Sequence, residues 1–284
     1  MTTNPFRAVD AIGRAHALAR ADARIVSLVP SVTELLFDLG VGDRLVGRTG
    51  FCIHPRDGIR TVPKVGGTKS VDIERIRELV PTHVIVNIDE NEKPTVERLA
   101  GFVPNVIVTH PLGPLDNPGL YRLLGAIFGR ESRAEALCEA FQKAYSDAVA
   151  ECADLPRERV LYLIWKSPWM TVSRDTYIAR TLAAVGWDTI EIQSKDRYPK
   201  VDLTPQLLGN VGRVLLSTEP YAFRQQHLDE IRQMLAAGGN DFVPTPVEES
   251  ESTATVSLID GEMTSWYGSR AIKGMNYLSR LRRG

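Results

Sequence analysis

Aromatic side chains interleaved with a few polar groups recur in four stretches of this chain: Phe51-Cys52-Ile53-His54-Pro55, Trp165-Lys166-Ser167-Pro168-Trp169, Arg197-Tyr198-Pro199 and Ser265-Trp266-Tyr267-Gly268-Ser269-Arg270. Aromatic faces backed by a few polar groups suit a large planar or amphipathic ligand. Phe51, Trp169, Tyr198, Trp266 and Tyr267 are the candidate clamp. Lys69 and Arg270 are candidate cations for carboxylate, amide or phosphate groups, arginine offering a rigid fork of donors. Trp165 follows a strand whose alternation turns it toward the core. His54 is a candidate axial ligand for a bound cobalt or iron, Cys52 a lesser one; a loop histidine before proline also serves as a hydrogen-bonded structural group.

Motifs for catalysis are missing. Gly66-Gly67-Thr68-Lys69-Ser70 resembles the end of a phosphate loop, but a threonine stands where the glycine before the lysine is required. No GxSxG, HExxH or GxGxxG occurs. Histidines at 16, 54, 83, 110 and 227 lack the spacing of a zinc site. An enzyme remains the rival reading, with Cys52 as nucleophile and His54 as base, although no third orienting group accompanies them. No tightly bound cofactor is expected.

The loops that carry these residues follow the strands of an α/β pattern present twice. Arg24 to Val29 and Arg159 to Ile164 are apolar strands that each enter a helix. Val71-Asp72-Ile73 and Val201-Asp202-Leu203 each open a short Asp-initiated helix, followed by the strands His83 to Asn87 and Arg213 to Ser217. The halves are offset by 130 to 135 residues. Alternating strand and helix favours parallel sheets with helices on their faces. In open α/β sheets the ligand sits beyond the carboxyl ends of the strands, where the aromatic loops are expected.

Between the halves, apolar residues from Ala134 to Cys152 recur at three and four, predicting one helix over 131–152, about 33 Å long. A helical strut resists wide hinge motion. The expected fold is α/β: two Rossmann-like lobes with central parallel sheets, joined by one long rigid helix, with a ligand cleft between them. The divisions are an extension at 1–23, read as a loose or peripheral helix, a first lobe at 24–115, the connecting helix region at 116–156 and a second lobe at 157–284. Ser31 and Glu34 have the spacing of a capping box, and Gly40 ends the helix they open.

A length of 284 residues with 43% hydrophobic content suffices for two cored domains. The formal charge of -1, from 34 basic and 35 acidic residues, gives no pull toward nucleic acid or a membrane. A monomer is expected. No run approaches the ~20 apolar residues of a membrane span. Residues 1 to 22 carry Arg7, Asp10, Arg14, His16, Arg20 and Asp22 rather than a signal peptide's apolar core, so the chain as written reads as cytoplasmic. Three cysteines without CxxC spacing suggest no disulfide framework.

From Arg24 to Leu281 the chain resembles the helical-backbone (TroA-like) substrate-binding proteins that serve ABC importers of cobalamin, haem and iron-siderophore complexes. The resemblance is carried by Arg24 to Glu34, Val71 to Ile76, the strut, Arg197 to Val201 and Ser265 to Arg270, and is nearest to the cobalamin branch. It implies a non-catalytic protein binding a cobalamin-like corrinoid or another metal-tetrapyrrole. Phe51 and His54 then match the first-lobe aromatic loop, and Trp169, Tyr198, Trp266 and Arg270 match ligand-facing positions. It also implies docking on an ABC permease through one glutamate per lobe. Glu74 occupies the first position, but Thr204 stands at the second. Members are periplasmic or surface-anchored, so a misplaced start would make this chain periplasmic, and the departure at Thr204 favours an intracellular relative. A ferric siderophore or haem is the alternative ligand; the loops supply few of the Arg and Lys that an anionic siderophore needs.

Overall fold

The computed structural model describes residues 8–238 and 254–284. The chain divides into two compact units, the first running through Lys143 and taking in Tyr267–Ile272, the second comprising Ala144–Trp266 and Lys273–Gly284.

In the first unit, β1 (Ile25–Ser27), α1 (Pro30–Asp38), β2 (Leu45–Arg48), α2 (Arg56–Ile59), α3 (Ile73–Glu78), β3 (His83–Asn87), α4 (Lys93–Ala100) and β4 (Asn105–Thr109) build a four-stranded sheet in the order β2-β1-β3-β4. All its pairings are parallel. Every residue of β3 is buried, as expected of a strand covered on both faces. Val26, Val84, Val86, Val106 and Val108 pack with Ile73, Ile76 and Leu99 in one core. The helices α5 (Asn117–Phe128) and α6 (Glu131–Cys152) follow. Gly129 adopts φ 65° between them, a conformation that glycine takes without a Cβ penalty. The boundary between the units falls inside α6, one uninterrupted helix over the predicted span.

The second unit repeats the plan with β5 (Glu158–Leu163), α7 (Tyr177–Ala184), β6 (Trp187–Thr189), α8 (Pro205–Leu208), β7 (Arg213–Ser217), α9 (Gln225–Gly238), β8 (Thr255–Ile259) and α10 (Gly261–Ser265). Its sheet order, β6-β5-β7-β8, matches the first, and all its pairings are parallel. The final helix is α11 (Arg270–Arg283). The duplicated pattern is thus a duplicated topology.

Several local expectations need correction. Ser31 and Glu34 form no capping box: Val29 is the N-cap without a side-chain bond, Pro30 opens the helix, and both residues are buried. Asp72 caps α3 by accepting from Arg75 N, but in the second lobe the cap is Thr204, which accepts from Leu207 N, rather than Asp202. β6 has only three residues, too few for a periodicity signal, yet Trp187 is fully buried and donates its indole N–H to Glu158 at 2.9 Å.

Residues 1–7 of the N-terminal extension lie outside the described residues, and 8–23 contain no helix. Asp10 organises this stretch, accepting from Ile12 N, Arg14 N and Val108 N and from His16 at 3.0 Å. With Ala11 N donating to Val108 O, the segment covers β4, an edge strand of its sheet. Edge strands left open template pairing with other chains, so the cover has a physical purpose.

The span Tyr267–Ile272 belongs to the first unit although the sequence places it in the second lobe. Arg270 forms a two-point ion pair with Glu34, Nε to Oε2 at 2.7 Å and Nη2 to Oε1 at 2.9 Å, both side chains being about nine-tenths buried. Tyr267 donates to Glu90 at 2.5 Å, Gly268 N donates to Asn117 Oδ1 at 2.7 Å, and Tyr121 donates to Gly268 O at 2.8 Å. Gly268 is required here: its φ is 78°, and a Cβ would sit 3.2 Å from Ser31 O.

Removing one partner of a buried pair strands the other charge. Arg270→Met is expected to lower stability in urea unfolding by about 3–5 kcal/mol. Glu34→Leu combined with Arg270→Met is expected to recover most of that loss; a single variant as stable as the parent would contradict the assignment.

Candidate functional site

Because every strand within a sheet is parallel, the loops after β1 to β4 emerge at one edge of the first lobe, and those after β5 to β8 at one edge of the second. The predicted aromatic residues collect at these edges, though not all in the predicted manner.

In the first lobe the loop after β2 is pinned by Cys52. Its thiol is fully buried and within 3.1 Å of both Thr33 Oγ1 and Thr49 Oγ1. With Cys52 inward, its neighbours face outward: Phe51 is 63% exposed and Ile53 is 46% exposed. His54 is half-buried beyond them. The turn at 66–70 lies beside Phe51, for a Cβ on Gly67 would be 3.4 Å from its ring. Lys69 is exposed in that turn, which Asn91 holds by donating to Thr68 O at 3.0 Å. After β3 and β4, Ile88 is exposed and Asp89 stands 3.5 Å from His110.

In the second lobe the chain after β5 doubles back, Ile164 N donating to Met170 O and Met170 N to Trp165 O. Residues 197–201 pair against it, with Val201 N donating to Trp169 O and Thr171 N to Pro199 O. This ladder brings the segments of Trp169 and Tyr198 together. Trp169 stacks on Phe223, the ring planes 3° apart and the centroids at 5.9 Å. Trp165 is 41% exposed rather than in the core, and meets Tyr221 edge-on at 5.5 Å. The side chain of Lys166 lies over Trp169 at 5.4 Å and pairs with Glu230. Tyr221 and Phe223 escaped the sequence reading; their signal is the run Tyr221-Ala222-Phe223 in the loop straight after strand β7.

Three predicted contact residues are internal. Trp266 is 8% exposed and donates its indole N–H to Glu219 at 2.6 Å. The buried Tyr267 and Arg270 engage Glu90 and Glu34 as described above. Burial and these bonds engage the indole N–H of Trp266, the hydroxyl of Tyr267 and the guanidinium of Arg270. The structure leaves Phe51 and Lys69 exposed, and His54, Trp169 and Tyr198 half-buried, at the two loop edges.

The profile of the periplasmic binding protein family matches residues 25–204. The chain belongs to that family. A vitamin B12-binding protein of Photorhabdus laumondii is 22% identical over 202 residues, spanning 71% of this chain and 73% of that protein. Among solved structures, the periplasmic vitamin B12 binding protein of Vibrio cholerae superposes with a TM-score of 0.74 at 17% identity, over 92% of this chain and 96% of that one. A periplasmic heme-binding protein from Roseiflexus gives 0.73 at 20% identity, over 92% and 98%. At such identities the structures establish the two-lobed α/β fold of this family member.

Electrostatics within this periplasmic binding protein chain argue against Cys52 as a nucleophile. Burial pushes its thiol above the ordinary range, against the smaller opposing effect of the Thr33 and Thr49 hydroxyls. A reactive thiol needs the opposite, a lowered value and access. Among the described residues no cluster of three or more His, Cys, Asp or Glu could hold a metal ion. Burial also raises the Glu219 carboxyl above its ordinary 4.5, outweighing the hydrogen bond from Trp266.

Two outcomes follow. All three cysteines are buried, so none should react quickly with a disulfide reagent at pH 8 without denaturant; fast labelling of Cys52 would revive the nucleophile. For Glu219, the folded state holds the proton more tightly than the unfolded state. Its contribution is therefore fully present below about pH 4.5 and is lost as pH rises through the raised value. Glu219→Gln keeps an acceptor for Trp266 and removes the titration, so its Tm relative to the parent should rise between pH 4.5 and pH 7; a pH-independent difference would contradict this.

Proposed function

We propose that this chain is the non-catalytic substrate-binding protein of an ABC importer, taking a cobalamin-like corrinoid, with haem as the second metal-tetrapyrrole to be tested. The observation that carries the reading is the aromatic character of each lobe's carboxyl-end edge: exposed Phe51 on the first, and Trp165, Trp169 and Tyr221 on the second. Flat aromatic faces suit a macrocycle, and solvent-exposed apolar side chains grouped at loops mark an interaction surface. The vitamin B12-binding and heme-binding relatives support the same ligand class. Tyr198 joins Trp169 through the paired segments, Lys69 meets polar substituents at the rim, and His54 is the proposed axial ligand.

The setting proposed is the periplasm, as for the family that the chain belongs to. The permease contact is Glu74, whose side chain on α3 is 72% exposed, with Arg77 at 3.3 Å. Thr204, at the position matching the second docking glutamate, is the N-cap of α8 and presents no carboxylate.

Purified protein mixed with hydroxocobalamin, cobinamide or haemin and passed over a sizing column is expected to carry a stoichiometric pigment with a shifted corrin or Soret band. Phe51→Ala and Trp169→Ala should each weaken binding at least about tenfold, the ~1.4 kcal/mol scale of one stacked aromatic contact. Trp266→Ala should instead lower stability, because its indole is internal. His54→Ala should change the band position if the imidazole is axial. Pigment-free elution for all three compounds would overturn the ligand class.

A further inference from the structure

We infer that the first lobe carries an anion site under the loop that follows β2, a pocket of about 210 Å³ that takes a phosphate group. Its lining includes Arg48, Arg56, Arg60 and Lys64 with Gly50, Cys52, Ile53 and Ile59, four cations and no acidic residue. The sequence reading, which found few basic residues in the loops, missed this cluster because its members are spread over 48–64 and converge only when β2 and the following turns fold.

Arg48 is the decisive group. It is only 7% exposed, and its guanidinium is held by backbone carbonyls, Nε donating to Val62 O at 3.2 Å and Nη1 to Cys52 O at 3.1 Å and Thr49 O at 3.3 Å. Among the described residues it has no carboxylate partner. Elsewhere the same protein pairs its buried guanidiniums with carboxylates, Arg270 with Glu34 and Arg282 with Glu158 at 3.2 Å. A desolvated cation without a counter-charge is costly, and three further cations around the pocket add repulsion. An anion removes both penalties at once.

Phosphate fits this demand better than a carboxylate. It carries between one and two negative charges near neutral pH, and its several oxygens can be shared among guanidinium forks and an ammonium. The volume admits a phosphate and part of the group bearing it. A second concavity, bordered by Arg159, Arg174, Arg180 and Asp188, lacks this character, since Asp188 lines it, Arg174 pairs with Glu191 and Arg159 bonds Asn210.

The inference goes beyond the proposed ligand and does not need it. Full-length protein is titrated calorimetrically with inorganic phosphate against sodium chloride at matched ionic strength. Saturable phosphate binding is expected, weakened at least tenfold in the double variant Arg60→Gln, Lys64→Gln, whose exposed side chains leave the fold intact, and lost in Arg48→Met. Displacement of phosphate by hydroxocobalamin, which carries a phosphodiester, but not by cobinamide, which lacks one, would assign the group to the transported ligand. Binding unaffected by either would assign it to free phosphate. Heats equal to those of chloride, or a double variant that binds as the parent does, would overturn the site. The readout requires no pigment, so its failure leaves the corrinoid proposal intact, and pigment-free elution leaves the anion site intact.

Discussion

The arrangement of this protein depends on strand direction. A sheet whose strands are all parallel sends every loop that follows a strand to the same edge, and the chain builds such a sheet twice in the same order. Residues far apart in sequence are thereby gathered without any long-range instruction beyond strand pairing. Phe51 after β2 and Ile88 after β3 share one edge; Trp169 after β5 and Tyr221 after β7 share the other. The central apolar strands such as β3 are buried on both faces, so the loops beyond them are what each sheet offers for recognition.

Local anchors then decide which side chains are offered. Cys52, held between two threonine hydroxyls, turns the β2 loop so that its flanking residues point outward. The Glu34 and Arg270 pair and the Tyr267 bond to Glu90 do the reverse, drawing a motif that reads as surface chemistry into the interior of the first unit. The same residue types therefore serve opposite ends according to whether a buried partner waits for them.

That distinction marks what was legible in the sequence. Period and breakers placed most elements, including α6 over its full length, because a 22-residue stripe with a glycine before it has one helical solution. The repeat predicted the matched sheets. The aromatic loops were found as well, since runs such as Trp165 to Trp169 after an apolar strand are visible locally. Partners over 200 residues apart were not: nothing near Arg270 announces its buried pair with Glu34. The basic cluster around Arg48 and the cap at Thr204 failed to appear for related reasons, one being assembled by folding and the other depending on where a short helix begins.

The most direct test is hydrogen exchange of the backbone with and without saturating hydroxocobalamin. The account predicts slowed exchange in the loops at 50–54, 164–172, 197–201 and 218–224, with the strands unchanged. Protection confined to other surfaces, or none despite saturation, would contradict the placement of recognition at the carboxyl-end edges.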